Sequence, residues 1–216
     1  MSTPVWSKVG VDIQSAIAAS LTVSAISKAS PAVLSYGAGD TDPANGEYYL
    51  VEATGMDQIN NMVVRVANVD TTANTFECES LDSTNFDTFV SATAKKITFG
   101  KSFDSLIDIT ASGGDAKFSD NSDLHSDLDK EIPVGFTAVK FTSNSRFEPT
   151  DSALLEAQSA SRAKDTRCIL MRFSNGTKIA VNAYVSAPLT PTGNKGEKVT
   201  TPLAFSAQGF PSVWAS

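Results

Sequence analysis

The chain has 216 residues, of which 41% are hydrophobic and 19% charged, and its formal net charge is −7. This length and composition predict a single domain over residues 1–216 with a sizeable core, and exclude a disordered chain. The negative charge argues against binding to a nucleic-acid backbone, which requires clustered Lys and Arg. No apolar run approaches the ~20 residues of a membrane helix, and the start, MSTPVWSKVGVDIQ, lacks the pattern of a secretory signal.

The first half of the chain predicts short strands joined by turns. After an N-terminal arm, residues 21–99 contain four apolar, alternating segments. These segments are separated by a Gly/Asp/Pro loop, a Gly-Met-Asp-Gln-Ile-Asn-Asn corner and an Asn-Thr turn, so each predicts one strand. Residues 96–110 predict two more strands. Their inward side chains are predicted to be Ile97, Phe99, Phe103, Ile107 and Ile109.

The second half predicts a long loop, a helix and a hairpin. Residues 112–131 are polar and acidic, which predicts a long functional or mobile loop. Start signals at Glu148-Pro149-Thr150-Asp151 and a small apolar face predict a helix over 150–163. Asn175-Gly176 lies between two alternating apolar runs and predicts a hairpin with a type I′ turn. A last strand is predicted near 198–207.

Side chains able to support catalysis or metal binding are sparse. His125 is the one histidine and lies in the acidic segment, where a solvated loop residue is favoured over a catalytic one. Cys78 and Cys168 lie in strand-like runs and predict buried thiols in a reducing compartment rather than a disulfide. The acidic segment does not match an EF-hand, so a solvated loop is favoured over calcium. We therefore expect no cofactor, no metal and no enzymatic activity.

Many short strands produce open sheet edges, which a monomer must block and an assembling protein uses. Aromatic residues near both ends suit anchoring on a neighbouring subunit. The interface candidates are Trp6, Tyr48, Phe210 and Trp214. The alternative is that these aromatics cover the core of their own subunit.

Two segments resemble the major tail tube proteins of long, flexible-tailed bacteriophages. The first is PVWSKVGVDIQSAIAASLTVSAISKASPAVLSY, followed by VEATGMDQINNMVVRVANVDTTANTFECESLDSTNFDTF. The second is SALLEAQSASRAKDTRCILMRFSNGTKIAVNAYVSA, followed by TPLAFSAQG. The resemblance covers most of the chain. The residues that carry it in the first half are Gly55, Met56, Ile59, Asn60, Val66, Asn68, Val69, Asp70, Asn74, Thr75, Phe76, Leu81 and Asp82.

The resemblance implies a mainly β fold: an antiparallel sandwich or barrel with one flanking helix near 150–163 and extended loops and arms. It also implies a structural virion protein, made in the host bacterial cytoplasm, whose hexameric rings stack into a hollow tail tube that conducts phage DNA. The partners implied are copies of the chain, a tape-measure protein and tail-tip or terminator proteins, with no specific DNA binding and no membrane.

In such a tube, the net negative charge of the chain would have a function. Six copies would place about −42 on each ring, and like charge on the lumen wall keeps DNA from adhering. Asp104 and Asp108 are the lumen-facing candidates. Two other readings stay open: another β-rich virion protein, such as a head-decoration or fibre protein, and a hydrolase or carbohydrate-binding β-sandwich.

Overall fold

A computed structural model describes residues 8–123, 125 and 127–215 as antiparallel strands and one α-helix. The predicted mainly β fold with one flanking helix is thereby confirmed. The strands, in chain order, are β1 (Gly10–Ile26), β2 (Ala32–Tyr36), β3 (Tyr48–Thr54), β4 (Met62–Asp70), β5 (Thr75–Cys78), β6 (Ser91–Ser102), β7 (Thr110–Ser112), β8 (Ala116–Asp120), β9 (Glu131–Phe136), β10 (Lys140–Arg146), β11 (Thr166–Arg172), β12 (Lys178–Ser186), β13 (Thr200–Ala207) and β14 (Ser212–Trp214). The helix α1 spans Ser152–Ala163, and a short 3-10 helix spans Asp57–Ile59.

The first half of the chain folds into a closed barrel. Its strands pair in the order β1-β2-β5-β4-β3-β6, and β6 pairs again with β1. Closure removes free sheet edges and leaves one interior to fill. Large apolar side chains fill it, and several are fully buried: Leu34, Val51, Met56, Ile59, Val66 and Phe76. The four strands predicted within 21–99 are present in the predicted order, and the corner forms the 3-10 helix.

The second half forms a sheet that continues from the barrel. Its order is β1-β11-β12-β13-β10-β7, and β14 pairs with β12. The 17-residue β1 belongs to both parts, because its first four residues pair with β11, and Val23, Ala25 and Ile26 near its end pair with β2. Register shifts between Ile13 and Ser20 bend β1 at the transition.

The sheet is the middle layer of the molecule. On one face it packs against α1, whose Ala153, Leu154, Ala157 and Ala160 are all fully buried, as predicted. On its other face Cys168, Leu170, Ala180 and Trp214 contact Leu50, Val63 and Ile97 of the barrel strands. The Asp151 carboxylate caps the helix by accepting hydrogen bonds from the backbone N–H groups of Ala153 and Leu154.

Ion pairs join α1 to the sheet. Glu156 accepts from Lys101 Nζ of β6 at 2.6 Å and from Arg167 Nε of β11 at 2.9 Å. The hydrogen bond from Lys101 is the main cause of a lowered Glu156 pKa, with Arg167 adding to it against the effect of burial. The Glu156 side chain is 19% exposed, so solvent screens these pairs only in part.

We expect Glu156→Gln to flatten the acid dependence of stability. A depressed folded pKa gives stabilisation above the ordinary value of 4.5 that is lost as the pH falls through the folded value. Between pH 6 and pH 3, the wild type should lose about 1 kcal/mol more unfolding free energy than the variant. Urea unfolding at both pH values measures this. Exposed Glu148→Gln is the control, and equal losses in wild type and Glu156→Gln would contradict the prediction.

The predicted hairpin is present, but its turn type is wrong. β11 and β12 pair antiparallel around residues 173–177. In the turn only Gly176 has a positive φ, of 90°, whereas a type I′ turn requires positive φ at Asn175 also. Gly176 N–H donates to Phe173 O at 3.0 Å and Phe173 N–H to Thr177 O at 2.9 Å. This is a type I turn followed by a glycine bulge.

Two further predictions need correction. Residues 96–110 form only the end of β6 and the first residue of β7, and the segment between them is irregular. Ile107, predicted to point inward, is 55% exposed there. Residues 112–131, predicted as one long loop, contain β8 and the first residue of β9. Phe103 and Ile97 are buried as predicted.

Candidate assembly surfaces

A two-stranded hairpin leaves the body of the molecule between β7 and β10, and we call residues 113–139 the β-arm. Its strands β8 and β9 pair with each other in a separate sheet. All their residues are exposed except Gly135, which is half-buried. Three apolar side chains are mostly in solvent: Phe118 (57%), Val134 (59%) and Phe136 (60%). Exposed apolar side chains clustered on one element are typical of an interaction surface.

The β-arm continues the β7–β10 ladder through a kink. Ser112 pairs with Lys140 before the kink and Ala116 with Phe136 after it. Within the kink Thr137 N–H donates to Asp115 O at 2.9 Å. Gly113 has φ of 82°, and a Cβ there would lie 2.2 Å from Ala138 O. Only glycine therefore fits this position, and the backbone leaves the plane of the sheet at this point.

An apolar contact and a groove lie beside the kink. The rings of Phe136 and Phe210 meet edge to face, with centroids 5.7 Å apart and planes at 79°. A groove with a cavity volume of about 510 Å³ lies next to them. Its lining includes Val139, Gly209 and Pro211, with Asp57 and Asn60 of the barrel.

The β-arm and the loop before β13 lie at opposite ends of the same strand pair. Lys140 of β10, next to the β-arm, pairs with Ser206, whereas Arg146 at the far end pairs with Thr200. The β-arm is acidic, and its charged residues are Asp115, Asp120, Asp123, Asp127, Asp129 and Glu131 against Lys117 and Lys130. The far end exposes the cations Arg146, Lys195 and Lys198, and its exposed acids are Glu148, Glu197 and Asp104, which precedes the Ser105 bonded to Arg146.

Several strand edges in the described residues have no neighbouring strand, among them those of β7 and β1. β7 pairs with β10 on one side and ends the sheet on the other. On the side opposite β6, β1 has no strand partner between Ile13 and Val23 among the described residues. Within this stretch residues 16–20 are exposed, including Ile17 at 47%. Thr22 is covered, because its N–H donates to Asp40 Oδ2 at 2.8 Å.

A family model described as "Phage tail tube protein, TTP" matches residues 54–216. The chain belongs to the phage tail tube protein family. The match covers β4 to β14, the helix and the β-arm, whereas β1, β2 and all of β3 except Thr54 lie outside it. The protein is therefore a structural component of a phage tail. A comparison with curated proteins finds no match.

The aromatic candidates for the tail tube interface lie in different environments. Phe210 is 46% exposed beside the β-arm. Tyr48 is half-buried and packs edge to face on Phe99 and Trp214. Trp214 is 2% exposed, and its indole N–H donates to Glu79 O at 3.1 Å, so it covers the core of its own subunit. Trp6 lies outside the described residues.

The acidic candidates for the tail tube lumen both lie in the irregular segment after β6, not on a strand. Asp104 is exposed in a turn. Asp108 is exposed too, but its carboxylate accepts from Asn144 N at 2.6 Å and Asn144 Nδ2 at 2.9 Å. Asp108 therefore fixes the segment to β10 in addition to carrying charge.

Lysines on β6 are ion-paired with acids of neighbouring elements. Lys95 pairs with Glu52 at 2.7 Å, and Lys96 pairs with Glu47. Lys101 pairs with Glu156. A polyanion approaching this strand therefore meets neutralised ammonium groups rather than free ones.

The residues considered for catalysis or metal binding do not form a site. Burial raises the pKa of the Cys78 thiol to about 12 and raises that of Cys168 as well, and both are free and buried as predicted. His125 is exposed near the tip of the β-arm. The described residues contain no group of three or more His, Cys, Asp or Glu that could hold a metal ion. None of the helices described here is long and apolar enough to cross a membrane.

Proposed function

We propose that six copies of the chain form a ring, and that rings stack into the hollow tail tube of a phage with a long, flexible tail. The observation that carries the proposal is the β-arm, an exposed and partly apolar hairpin on a member of the tail tube family. DNA passes through the lumen without specific binding. A tape-measure protein and tail-tip or terminator proteins complete the tail, and the subunit is made in the cytoplasm of the host bacterium.

Ring closure requires a heterologous contact, in which two different surfaces of one subunit meet. The open edge of β7 and the uncovered stretch of β1 supply two such surfaces for main-chain pairing. Monomeric proteins often block strand addition with lysine or proline on an exposed edge. Neither edge carries one, within residues 110–112 of β7 or 16–20 of β1.

Stacking requires complementary surfaces at the two ends of the subunit. The acidic β-arm and the end that exposes Arg146, Lys195 and Lys198 lie at opposite ends of the β10–β13 pair. Two acidic β-arms repel each other, whereas the cations of the far end can meet the surplus carboxylates of a β-arm, which favours head-to-tail over head-to-head contacts. The five residues of β8 extend roughly 17 Å, enough to cross a ring-to-ring boundary.

The proposal assigns Asp104 and Asp108 to the lumen, where negative charge repels DNA phosphates within about 8 Å at physiological salt. We expect Asp104→Lys with Asp108→Lys to slow DNA ejection in assembled tails, because phosphates then find cations in every ring. Asp108→Asn is the control, since it removes charge while keeping an oxygen for Asn144. Ejection is timed by DNA release from purified phage. Unchanged ejection in the double variant would overturn the lumen assignment.

Negative-stain electron microscopy of the purified protein, over increasing concentration and time, tests the assembly itself. Hollow tubes or six-fold rings are the expected result. Stable trimers or pentamers would favour a decoration or fibre role instead. Salt concentration distinguishes the contact between rings from the contact within a ring. Raising it from 0.05 M to 0.5 M should break tubes into rings, because stacking uses exposed charges whereas ring closure uses main-chain hydrogen bonds.

A further inference from the structure

The direction in which the β-arm leaves the body depends on few interactions. Neither of its strands pairs with a strand of the described body, so the ladder hydrogen bonds that link it to the body are those of the kink itself, from Gly114 N–H to Thr137 O at 3.1 Å and from Thr137 N–H to Asp115 O at 2.9 Å. At its base the backbone turns through Gly113 and Gly114, with φ of 82° and 84°, whereas the return crossing at 137–139 is Thr-Ala-Val. Glycines restrict backbone rotation less than other residues do, so the Gly113-Gly114 crossing is suited to bending.

The side of the kink toward the body is firmly held. Ala207 N–H donates to Val139 O at 2.8 Å, and Lys140 continues directly into β10. Beyond the kink, the described part of the β-arm contacts the body through the edge-to-face pair of Phe136 and Phe210. Phe210 itself is placed by Gly209, where a Cβ would lie 2.5 Å from Asn61 O of the barrel. Phe210 is therefore presented from a fixed backbone.

We propose that the kink at 113–115 and 137–139 is a hinge, and that the Phe136–Phe210 contact is a latch that holds the β-arm in one orientation before assembly. The latch is weak because both rings are about half exposed and the groove beside them is open to solvent. A second copy that binds the β-arm can therefore reorient it at a small cost in free energy. Until then, the latched β-arm keeps one orientation relative to the body. The assembly role of the latch rests on the proposed function, whereas the latch itself does not.

Phe210→Ala tests the latch in the unassembled subunit. Amide hydrogen exchange, followed by mass spectrometry, should accelerate at the kink, in peptides that contain residues 113–115 and 137–139, because bending there disturbs the hydrogen bonds from Gly114 N–H to Thr137 O and from Thr137 N–H to Asp115 O. The expected acceleration is roughly 2- to 10-fold, which is the population change that an aromatic pair of this geometry supports. Exchange in the barrel and in α1 should be unchanged. Phe210→Tyr keeps the ring and should restore slow exchange.

The matched control is Phe118→Ala, which removes an equally exposed ring from the β-arm without touching the latch. If Phe210→Ala leaves exchange of the kink peptides unchanged, or if Phe118→Ala accelerates it equally, the latch is refuted. Because the measurement uses the unassembled subunit, failure of the protein to form tubes would refute the proposed function and leave this result intact. In a subunit that does assemble, Phe210→Ala should speed tube formation, because the β-arm no longer has to leave the latched orientation, and Phe210→Tyr should not.

Discussion

Trp214→Ala should lower the free energy of unfolding by about 3–5 kcal/mol, the cost of removing a fully buried aromatic side chain. Trp214 is 2% exposed and lies between the barrel and the sheet. Its strand pairs with β12, its indole bonds to Glu79 O, and the neighbouring Ser212 hydroxyl donates to Val63 O. The variant therefore opens a cavity at the junction of the two parts and leaves a barrel carbonyl without its donor.

Thermal unfolding of the dilute subunit measures this loss, with an expected fall in Tm of roughly 10 °C. Phe210→Ala is the control from the same segment: it is half exposed, so it should cost less than about 1 kcal/mol. If Trp214→Ala left the subunit as stable as this control but abolished assembly, Trp214 would be an interface residue, as the sequence first suggested. Trp214→Phe should fall between the two, because it keeps the packing and loses the hydrogen bond.

Local patterns were sufficient to predict the elements whose partners are close in sequence. The face of α1, with Ala153, Leu154 and Ala157, follows from helical spacing and a capping Asp151. The β11–β12 hairpin follows from Asn-Gly between two apolar runs. The turn type does not follow, because Gly176 fits both alternatives. It can be the second central residue of a type I′ turn or the bulge residue after a type I turn, and the two differ in φ at Asn175.

Features that depend on distant partners were not predictable in this way. The barrel closes because β1 meets both β2 and β6, and alternation in β1 alone contains no information on either neighbour. Trp214 has the sequence context of an exposed terminus, yet Glu79 and Leu50 cover it. Alternating Val134 and Phe136 predict a strand after the acidic segment, but its hairpin partner β8 lies within that segment and has no comparable apolar alternation.

Replacing residues 116–136 by Asn-Gly should abolish tube formation while leaving the body folded. Asp115 and Thr137 already exchange hydrogen bonds, with Thr137 N–H donating to Asp115 O and Asp115 N–H to Thr137 Oγ1. A two-residue turn can therefore close the ladder at this point without strain. The removed residues bury almost nothing in the subunit, so the change in Tm should stay within about 2 °C.

The informative outcome is the form of the assemblies that persist. If edge pairing closes the ring and the β-arm joins rings, electron microscopy of the shortened protein should show single rings and no tubes. A charge variant with the β-arm intact, Asp127→Lys with Asp129→Lys, should give shorter tubes by weakening the same contact without removing the apolar residues. Tubes of normal length from the shortened protein would overturn the stacking role. Loss of rings as well as tubes would mean that ring closure also requires the β-arm. The β-arm would then belong to the contact within the ring and not to stacking alone.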